Sequence, residues 1–430
     1  MEWLTSRQSC NGYLARTVRP SFHVSMTAVE AAVQSLLSRH HALRLKFDMN
    51  VSDAASENHG WSQRIETCPS PYKSVIVRDL TTITDSDNEI QTLAEQLTAE
   101  IDLESGINGI IGIVSASQPG SQALLIAMGP CVVDQDSMNI LTEELLALLR
   151  GDWLIPPSKA SLEQWSESLH TRSKEVSWEK DWDSLVGVPH RATLQQPSVM
   201  SAEHDTPIVH GWMPTTADFG ESVLGKLGAD PLDILLAAVA DAVQEDTPSS
   251  RHPTTSAPVI WVRERITEGS SLWKEDTSRL VGPLAIEYPV SYDDAGHTSN
   301  SARTDGPDWM GDAVQRAKDA RRRSRAAAID LSILNASMGP DLVKKTAHRI
   351  VLVLNCSQHT DALVGVGEES AAIIQLCTGQ GYSRLSWWYR SGVVLRNGDQ
   401  VATFFEHIAQ KVEEMSLACS TLPKQVLTAS

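Results

Sequence analysis

Apolar residues recur at Val29, Ala32, Val33, Leu36, Leu37 and Leu43, a spacing near 3.6 that predicts an amphipathic helix over Thr27–Arg44. It runs into a short strand at Leu43–Phe47, and the polar stretch Asn50–His59 reads as a loop or hairpin tip. A second helix is predicted over Ile90–Ile101. Gly109–Ser115 and Ala123–Met128 are apolar runs parted by Gln118-Pro119-Gly120-Ser121, a strand, turn, strand pattern. Ser137–Leu149 is helical again. Past Gly151, Pro156-Pro157-Ser158 and a polar run through Lys174 predict a linker carrying one helix around Trp165. Val186–Pro214 reads as turn-rich, and Asp230–Val243 as a helix opened by Asp230-Pro231. Strands are predicted at Pro258–Val262, Leu280–Val290, Ile350–Leu354 and Arg384–Tyr389, and helices at Val314–Ile333 and Gln400–Met415. Helix and strand alternate in both halves, which predicts an α/β protein of two lobes, residues 1–165 and 166–430.

Composition narrows the function. With 430 residues, 41% hydrophobic and 21% charged, the chain is long and apolar enough to bury a sizeable core. Its net charge of −18 has the wrong sign for nucleic acid or an anionic membrane surface. Apolar runs such as Ala123–Met128 and Ile234–Val239 are too short to cross a bilayer, and the N-terminus has no continuous apolar signal core. A cytoplasmic protein is expected. Six cysteines, Cys10, Cys68, Cys131, Cys356, Cys377 and Cys419, form no CxxC or Cys/His cluster, so neither a zinc site nor a disulfide framework is expected. No P-loop, GxGxxG after a strand, GxSxG or HExxH occurs, and no cofactor is expected.

Several segments, taken in order, resemble a known family. Leu37-Ser38-Arg39-His40-His41-Ala42-Leu43-Arg44 is similar to the "RHxALR" motif of nonribosomal peptide synthetase condensation and epimerization domains. Gly60-Trp61-Ser62-Gln63-Arg64-Ile65, Ile101-Asp102-Leu103-Glu104-Ser105-Gly106 and Leu162–Leu169 resemble the stretches that follow it. Asp276–Pro283 with Tyr288-Pro289-Val290 resembles the "SRTVGWFT…YPV" motif of the epimerization branch. The resemblance runs from about residue 37 to 415. It implies two chloramphenicol-acetyltransferase-like lobes in a V, with a central tunnel between them, and a monomer.

The family's chemistry depends on His-His-x-x-x-Asp-Gly, whose second His is the acid/base and whose Asp orients the loop. Here that stretch is Gly129-Pro130-Cys131-Val132-Val133-Asp134-Gln135, with Pro130 at the position of the catalytic His. A proline side chain cannot donate or accept a proton, so the general acid/base step, worth roughly 10²–10⁴-fold, cannot be run from there. Only Asp134 of the motif remains, and its family role implies a buried carboxylate paired with an arginine of the other lobe; Arg279 joins it as a structural motif residue. Cys131 is either a packing residue or a nucleophile whose base is not visible in the sequence.

Glu264, in the register of the branch's "EGHGRE" Glu, is a candidate acid/base, with pairing to Arg263 or Arg265 as the competing reading. His359, near a segment resembling "FNYxGxF", is the other catalytic candidate, against a plain surface histidine. Pro130, Cys131, Ser137, Ser386 and Trp387 are expected to line the substrate site, with strand-core packing the alternative for Ser386 and Trp387. The basic run Arg321-Arg322-Arg323-Ser324-Arg325 reads either as a phosphate contact or as a solvated helix face. No metal site is expected. The function these residues imply is a secondary-metabolism protein with a repurposed reaction, such as cyclisation or isomerisation of a small-molecule substrate. The alternatives are a non-catalytic pseudo-domain that binds a carrier-tethered intermediate or a synthetase partner in trans, and an acyltransferase with a relocated base.

Overall fold

In chain order the strands and helices of the computed structural model begin with β1 (Leu14–Val18), α1 (Met26–Arg39), β2 (Leu45–Met49), β3 (Trp61–Ile65) and β4 (Val75–Ile83). There follow α2 (Asp87–Ala99), β5 (Gly109–Ser115), β6 (Gln122–Met128), α3 (Gln135–Arg150) and α4 (Leu162–Ser173). Next are β7 (Met200–Ser201), β8 (Ile208–Thr215), α5 (Pro231–Glu245), β9 (Val259–Arg265), β10 (Ala285–Ser291), α6 (Asp308–Ala326) and α7 (Ala328–Ala336). The last are β11 (Arg349–Asn355), β12 (Asp361–Val364), β13 (Ser370–Gly379), β14 (Tyr382–Arg390), β15 (Val394–Leu395) and α8 (Val401–Thr421). The structure describes residues 14–49, 61–67, 74–83, 87–115, 122–176, 200–201, 208–217, 219, 228–245, 259–266, 275–292, 308–336, 349–355, 361–364, 370–379, 382–390, 394–395 and 401–421. The expected loop Asn50–His59 and the turn Gln118–Ser121 lie outside them, as do Cys10, Cys68, Cys356 and His359.

The described residues fall into two units. The first lies within Met1–Arg172, Arg265–Ala285 and His359–Gly367, so the second half of the sequence supplies two of its segments. Its sheet has the order β12-β1-β6-β5-β4, antiparallel throughout except for the parallel pair β4 and β5. Both faces are covered, which is why its strands read as unbroken apolar runs. Ile110, Leu125 and Ala127 pack with Ala94 and Leu97 of α2, while their neighbours Ile111 and Ile126 line a small apolar cavity with Val33 and Leu36 of α1 and Leu141 and Leu145 of α3.

The second unit lies within Ser173–Glu264, Ile286–Gln358 and Glu368–Ser430. Its sheet runs β10-β9-β11-β13-β14-β8, with β9, β11 and β13 parallel and β13, β14 and β8 antiparallel. On one face Trp387 and Tyr389 of β14 lie against Phe405 of α8, ring centroids 5.3 and 5.5 Å apart. α5 is buried along nearly its whole length. Its start is written in the sequence: Asp230 accepts from Leu232 N–H at 2.8 Å and Asp233 N–H at 3.2 Å, Pro231 takes the first helical position, and Asp233 accepts from Asp230 N–H at 2.9 Å. This is a capping box built from two aspartates.

Several expected boundaries shift. α1 stops at Arg39 rather than Arg44, because His40 is extended (φ −113°, ψ 110°) and residues His41–Arg44 form a 3₁₀ turn into β2. The stretch read as turn-rich through Pro214 ends in strand β8, where His210, Gly211 and Pro214 hid the pattern; β8 is an edge strand, which tolerates proline. The strand expected at Leu280 begins at Ala285, since the backbone before it serves Asp134 and Arg265 instead of a ladder. The expected helix Val314–Ile333 is two, α6 and α7. Among the described residues no helix is long and apolar enough to cross a membrane, and no group of three or more His, Cys, Asp or Glu is placed to hold a metal ion.

Candidate functional site

The loop from β6 to α3 is a tight turn. Gly129 C=O accepts from Val132 N–H at 3.0 Å and from Val133 N–H at 3.2 Å, so Pro130 occupies the second position of the turn, where its fixed φ and missing N–H cost nothing. Val132 and Val133 are fully buried and anchor the turn, while Pro130 and Cys131 are half-buried.

Asp134 ends the turn and begins the helix. It caps α3 by accepting from Ser137 N–H at 2.8 Å, with extended backbone at the cap (φ −104°, ψ −177°), and Gly151 closes α3 in the left-handed conformation at φ 78°. The same carboxylate accepts from Arg265 Nη2 at 2.5 Å, Arg265 Nε at 3.2 Å and Leu284 N–H at 3.0 Å. Arg265, the last residue of β9, also donates to Leu280 C=O at 2.8 Å and Ser137 Oγ at 2.8 Å. Ser137 Oγ in turn donates to Gly282 C=O at 2.9 Å. Asp134 therefore does pair with an arginine, but that residue is Arg265, within the same unit. Ser137, expected at the substrate wall, is fully buried with its hydroxyl committed to Arg265 and Gly282.

Arg279, expected in Asp134's motif, serves a neighbouring network. It donates to Glu143 at 2.6 Å and to Glu144 at 2.9 Å. Glu144 is almost fully buried and also meets His40 Nε2 at 2.7 Å and Arg39 Nε at 2.9 Å. Burial alone would raise the Glu144 pKa, but the His40 hydrogen bond and charge, with Arg279 and Arg39, bring it below the usual carboxylate value. His40 is thus a packing residue of α1's end that binds α3.

Glu264 sits in a second cluster, in the other unit. Its carboxylate accepts from Arg321 Nη2 at 2.8 Å, Arg321 Nε at 3.3 Å and the Tyr288 hydroxyl, and Arg325 Nε lies 3.6 Å away. Its side chain is only 13% exposed. Arg321 also bonds Asp230 and, at 2.8 Å, Asp233. Burial works against the Arg321 charge, yet Glu264, Asp230 and Asp233 more than offset it and raise its pKa above the ordinary arginine value. Burial, then the Asp230 charge, raises the Asp233 pKa. Burial and Glu264 likewise push the Tyr288 phenol up. The basic run is therefore split: Arg321 is buried inside an acidic cluster, whereas Arg322 and Arg323 are exposed. Arg263 pairs with Glu287 at 2.8 Å, so the arginine partner of Glu264 is one that lies 57 residues away in sequence.

Ser386 and Trp387 alternate on β14 and point to opposite faces. Trp387 stacks on Phe405 and belongs to the helix-covered core, while Ser386 lies on the other face between Gln375 and Trp212 in register. That face also holds Asn355 and His210, neither of which sequence patterns singled out. His210 stacks on Trp388 at 4.9 Å, and burial, then the Arg384 charge, lowers its pKa to about 4, so it is neutral at pH 7. Cys377 and Cys419 are buried, and burial pushes the Cys419 thiol up to about 11, as suits packing rather than nucleophilic thiols.

No family model matches the chain. A linear gramicidin synthase of Brevibacillus parabrevis is 25% identical over 289 residues, 62% of this chain and 3% of that protein. Nonribosomal peptide synthetase 5 from Gibberella zeae is 24% identical over 296 residues, 64% of this chain and 2% of that protein. The matched region is thus a small part of either relative. Among solved structures, the epimerization domain from the third module of tyrocidine synthetase B superposes with a TM-score of 0.65 at 16% identity, covering 96% of this chain and 92% of that one. The condensation domain of Monacolin K polyketide synthase gives 0.66 at 11% identity, with 96% and 95% covered. The X-domain from teicoplanin biosynthesis, solved in complex with OxyB, gives 0.61 at 16% identity, with 99% and 94% covered. By fold and by sequence relatives together, the chain belongs to the condensation/epimerization superfamily of nonribosomal peptide synthetase domains.

Proposed function

We propose that this chain is a binding domain of nonribosomal-peptide-type biosynthesis, which holds a carrier-tethered intermediate or docks a synthetase partner in trans without condensing or epimerizing it. The observation that carries this reading is the enclosure of Glu264: both its oxygens accept hydrogen bonds, from Arg321 and Tyr288, so a substrate must displace a donor before it can exchange a proton there. Pro130, at the position the family resemblance gives to the acid/base, offers no proton group. The Asp134–Arg265 lock nevertheless keeps the loop's shape, as expected of a scaffold kept for binding rather than chemistry. A teicoplanin X-domain solved with OxyB is a precedent for partner docking on this fold.

The competing reading is a repurposed cyclase or isomerase of a small metabolite, and it depends on His359 as its proton carrier; an acyltransferase with a relocated base depends on the same residue or on Glu264. One experiment separates them. A carrier protein bearing a peptidyl phosphopantetheine thioester is mixed with the chain, affinity is read by calorimetry and products by mass spectrometry. Binding with the thioester unchanged is expected. A cyclised, isomerised or transferred product that disappears in His359→Ala or Glu264→Gln would overturn the binding reading.

A further inference from the structure

The six-stranded sheet has two unlike faces. Trp387 and Tyr389 meet Phe405 of α8, and Glu264 meets Arg321 of α6, so that face is the one the helices cover. Across the opposite face, Val353, Gln375, Ser386 and Trp212 stand side by side on β11, β13, β14 and β8. Gln375 has no exposed surface, and neither its amide nitrogen nor its amide oxygen has a hydrogen-bond partner. Asn355, two residues along β11 from Val353 and so on the same face, is equally buried; its amide oxygen has no partner and its nitrogen reaches only Cys377 Sγ, at 3.9 Å. The other side chains near them in register, Val351, Val353 and Ile373, are apolar and buried. An unmet amide in such a row destabilises the fold, and an aliphatic residue there would not.

We infer that Gln375, with Asn355 beside it, reads a neutral secondary amide of the ligand. This rests on the binding function proposed above and names what is bound. A primary amide presents a donor and an acceptor on adjacent atoms. A carboxylate ligand would satisfy only the donors and an ammonium only the acceptors, and either would bring an uncompensated charge into a buried row. A secondary amide satisfies both at once. Two sources carry that group in a tethered intermediate, the peptide backbone and the pantetheine arm, and Ser386 and Trp212 next in the row offer a hydroxyl and an indole to its flanks.

The test uses the intact chain and two matched probe pairs: N-acetyl-alanyl-alanine methylamide against its ester analogue, and pantetheine against its ester analogue, with dissociation constants measured by ligand-observed NMR. One amide probe is expected to bind at least about tenfold more tightly than its ester, the factor that one unmade hydrogen bond gives, and the preferred pair identifies the source. Gln375→Met, equal in length and without polar atoms, is expected to erase that preference while melting at a higher temperature than the wild type. Asn355→Leu, made in parallel, carries the same expectation should the first variant fail to fold. Equal binding of amide and ester, absence of binding by all four probes, a preference that survives in both variants, or a lower melting temperature in both each overturns the inference. Capture of the loaded carrier protein, which does not depend on amide reading, shows separately whether the binding function itself stands.

Discussion

Replacing Asp134 with alanine would remove four accepted hydrogen bonds and one half of a buried ion pair. Arg265 is 2% exposed in its side chain and would be left charged, with the carbonyls of Leu280 and Thr277 and a 3.7 Å approach to the exposed Asp136 as partial compensation. Breaking such a pair by removing one partner costs about 3–5 kcal/mol. Loss of the α3 cap adds about 1 kcal/mol, and the orphaned Leu284 N–H about 1–3 kcal/mol, though these overlap because the same backbone relaxes. A destabilisation of about 4 kcal/mol is expected for Asp134→Ala. Asp134→Asn keeps an acceptor for Ser137 N–H and is expected to cost less, about 2–3 kcal/mol. The measurement is urea unfolding followed by far-ultraviolet circular dichroism, paired with hydrogen exchange of the peptides holding Ser137 and Leu284. A double-mutant cycle with Arg265→Met isolates the pair: the double variant should be more stable than the sum of the single effects by at least about 1.5 kcal/mol. A single-variant cost below about 1 kcal/mol, or strict additivity in the cycle, would refute the claim that this pair holds the loop.

Three further outcomes are expected. Arg321→Met leaves Asp230, Asp233 and Glu264 facing one another and should lower stability by about 2 kcal/mol more than Glu264→Gln, which removes only one of the three acids; thermal denaturation that ranks them the other way contradicts the cluster's charge balance. His210 takes up its proton near pH 6.5 when unfolded but only near pH 4 when folded, so the unfolded state binds more protons between these values and stability falls as pH is lowered through that window. The loss is at most about 3 kcal/mol and smaller after solvent screening; His210→Phe, which keeps a ring against Trp388, should flatten the stability difference between pH 7 and about pH 4.5, and an unchanged difference sinks the assignment. Pro130→His should fold with a stability within about 1 kcal/mol of the wild type, because the turn's bonds are made by Gly129, Val132 and Val133; a larger loss by the same urea assay would show that proline's rigidity, not those bonds, shapes the loop.

Much of the architecture was legible in the chain. The 3.6-residue spacing of α1, the Asp-Pro start of α5 and the apolar runs of β5 and β6 are local patterns with local causes, since capping, ring geometry and burial on both sheet faces act within a few residues. So too was the proline at position 130, whose inability to carry a proton needs no coordinates. Strands β1, β4 and β13 escaped notice, and β8 was read as turns, because a strand's existence depends on the neighbour that pairs with it, and those neighbours lie far along the chain. Pairings between distant charges were equally hidden. From the sequence, Asp134 could have answered to Arg279 and Glu264 to Arg263 or Arg265; the fold instead gave Arg265 to Asp134, Arg321 to Glu264 and Arg279 to Glu144. Residue types thus declared which groups can bear charge, turn or titrate, whereas the choice of partner, and with it whether Gln375 and Asn355 are satisfied or left waiting, was made only when strands and helices distant in sequence closed on one another and excluded water.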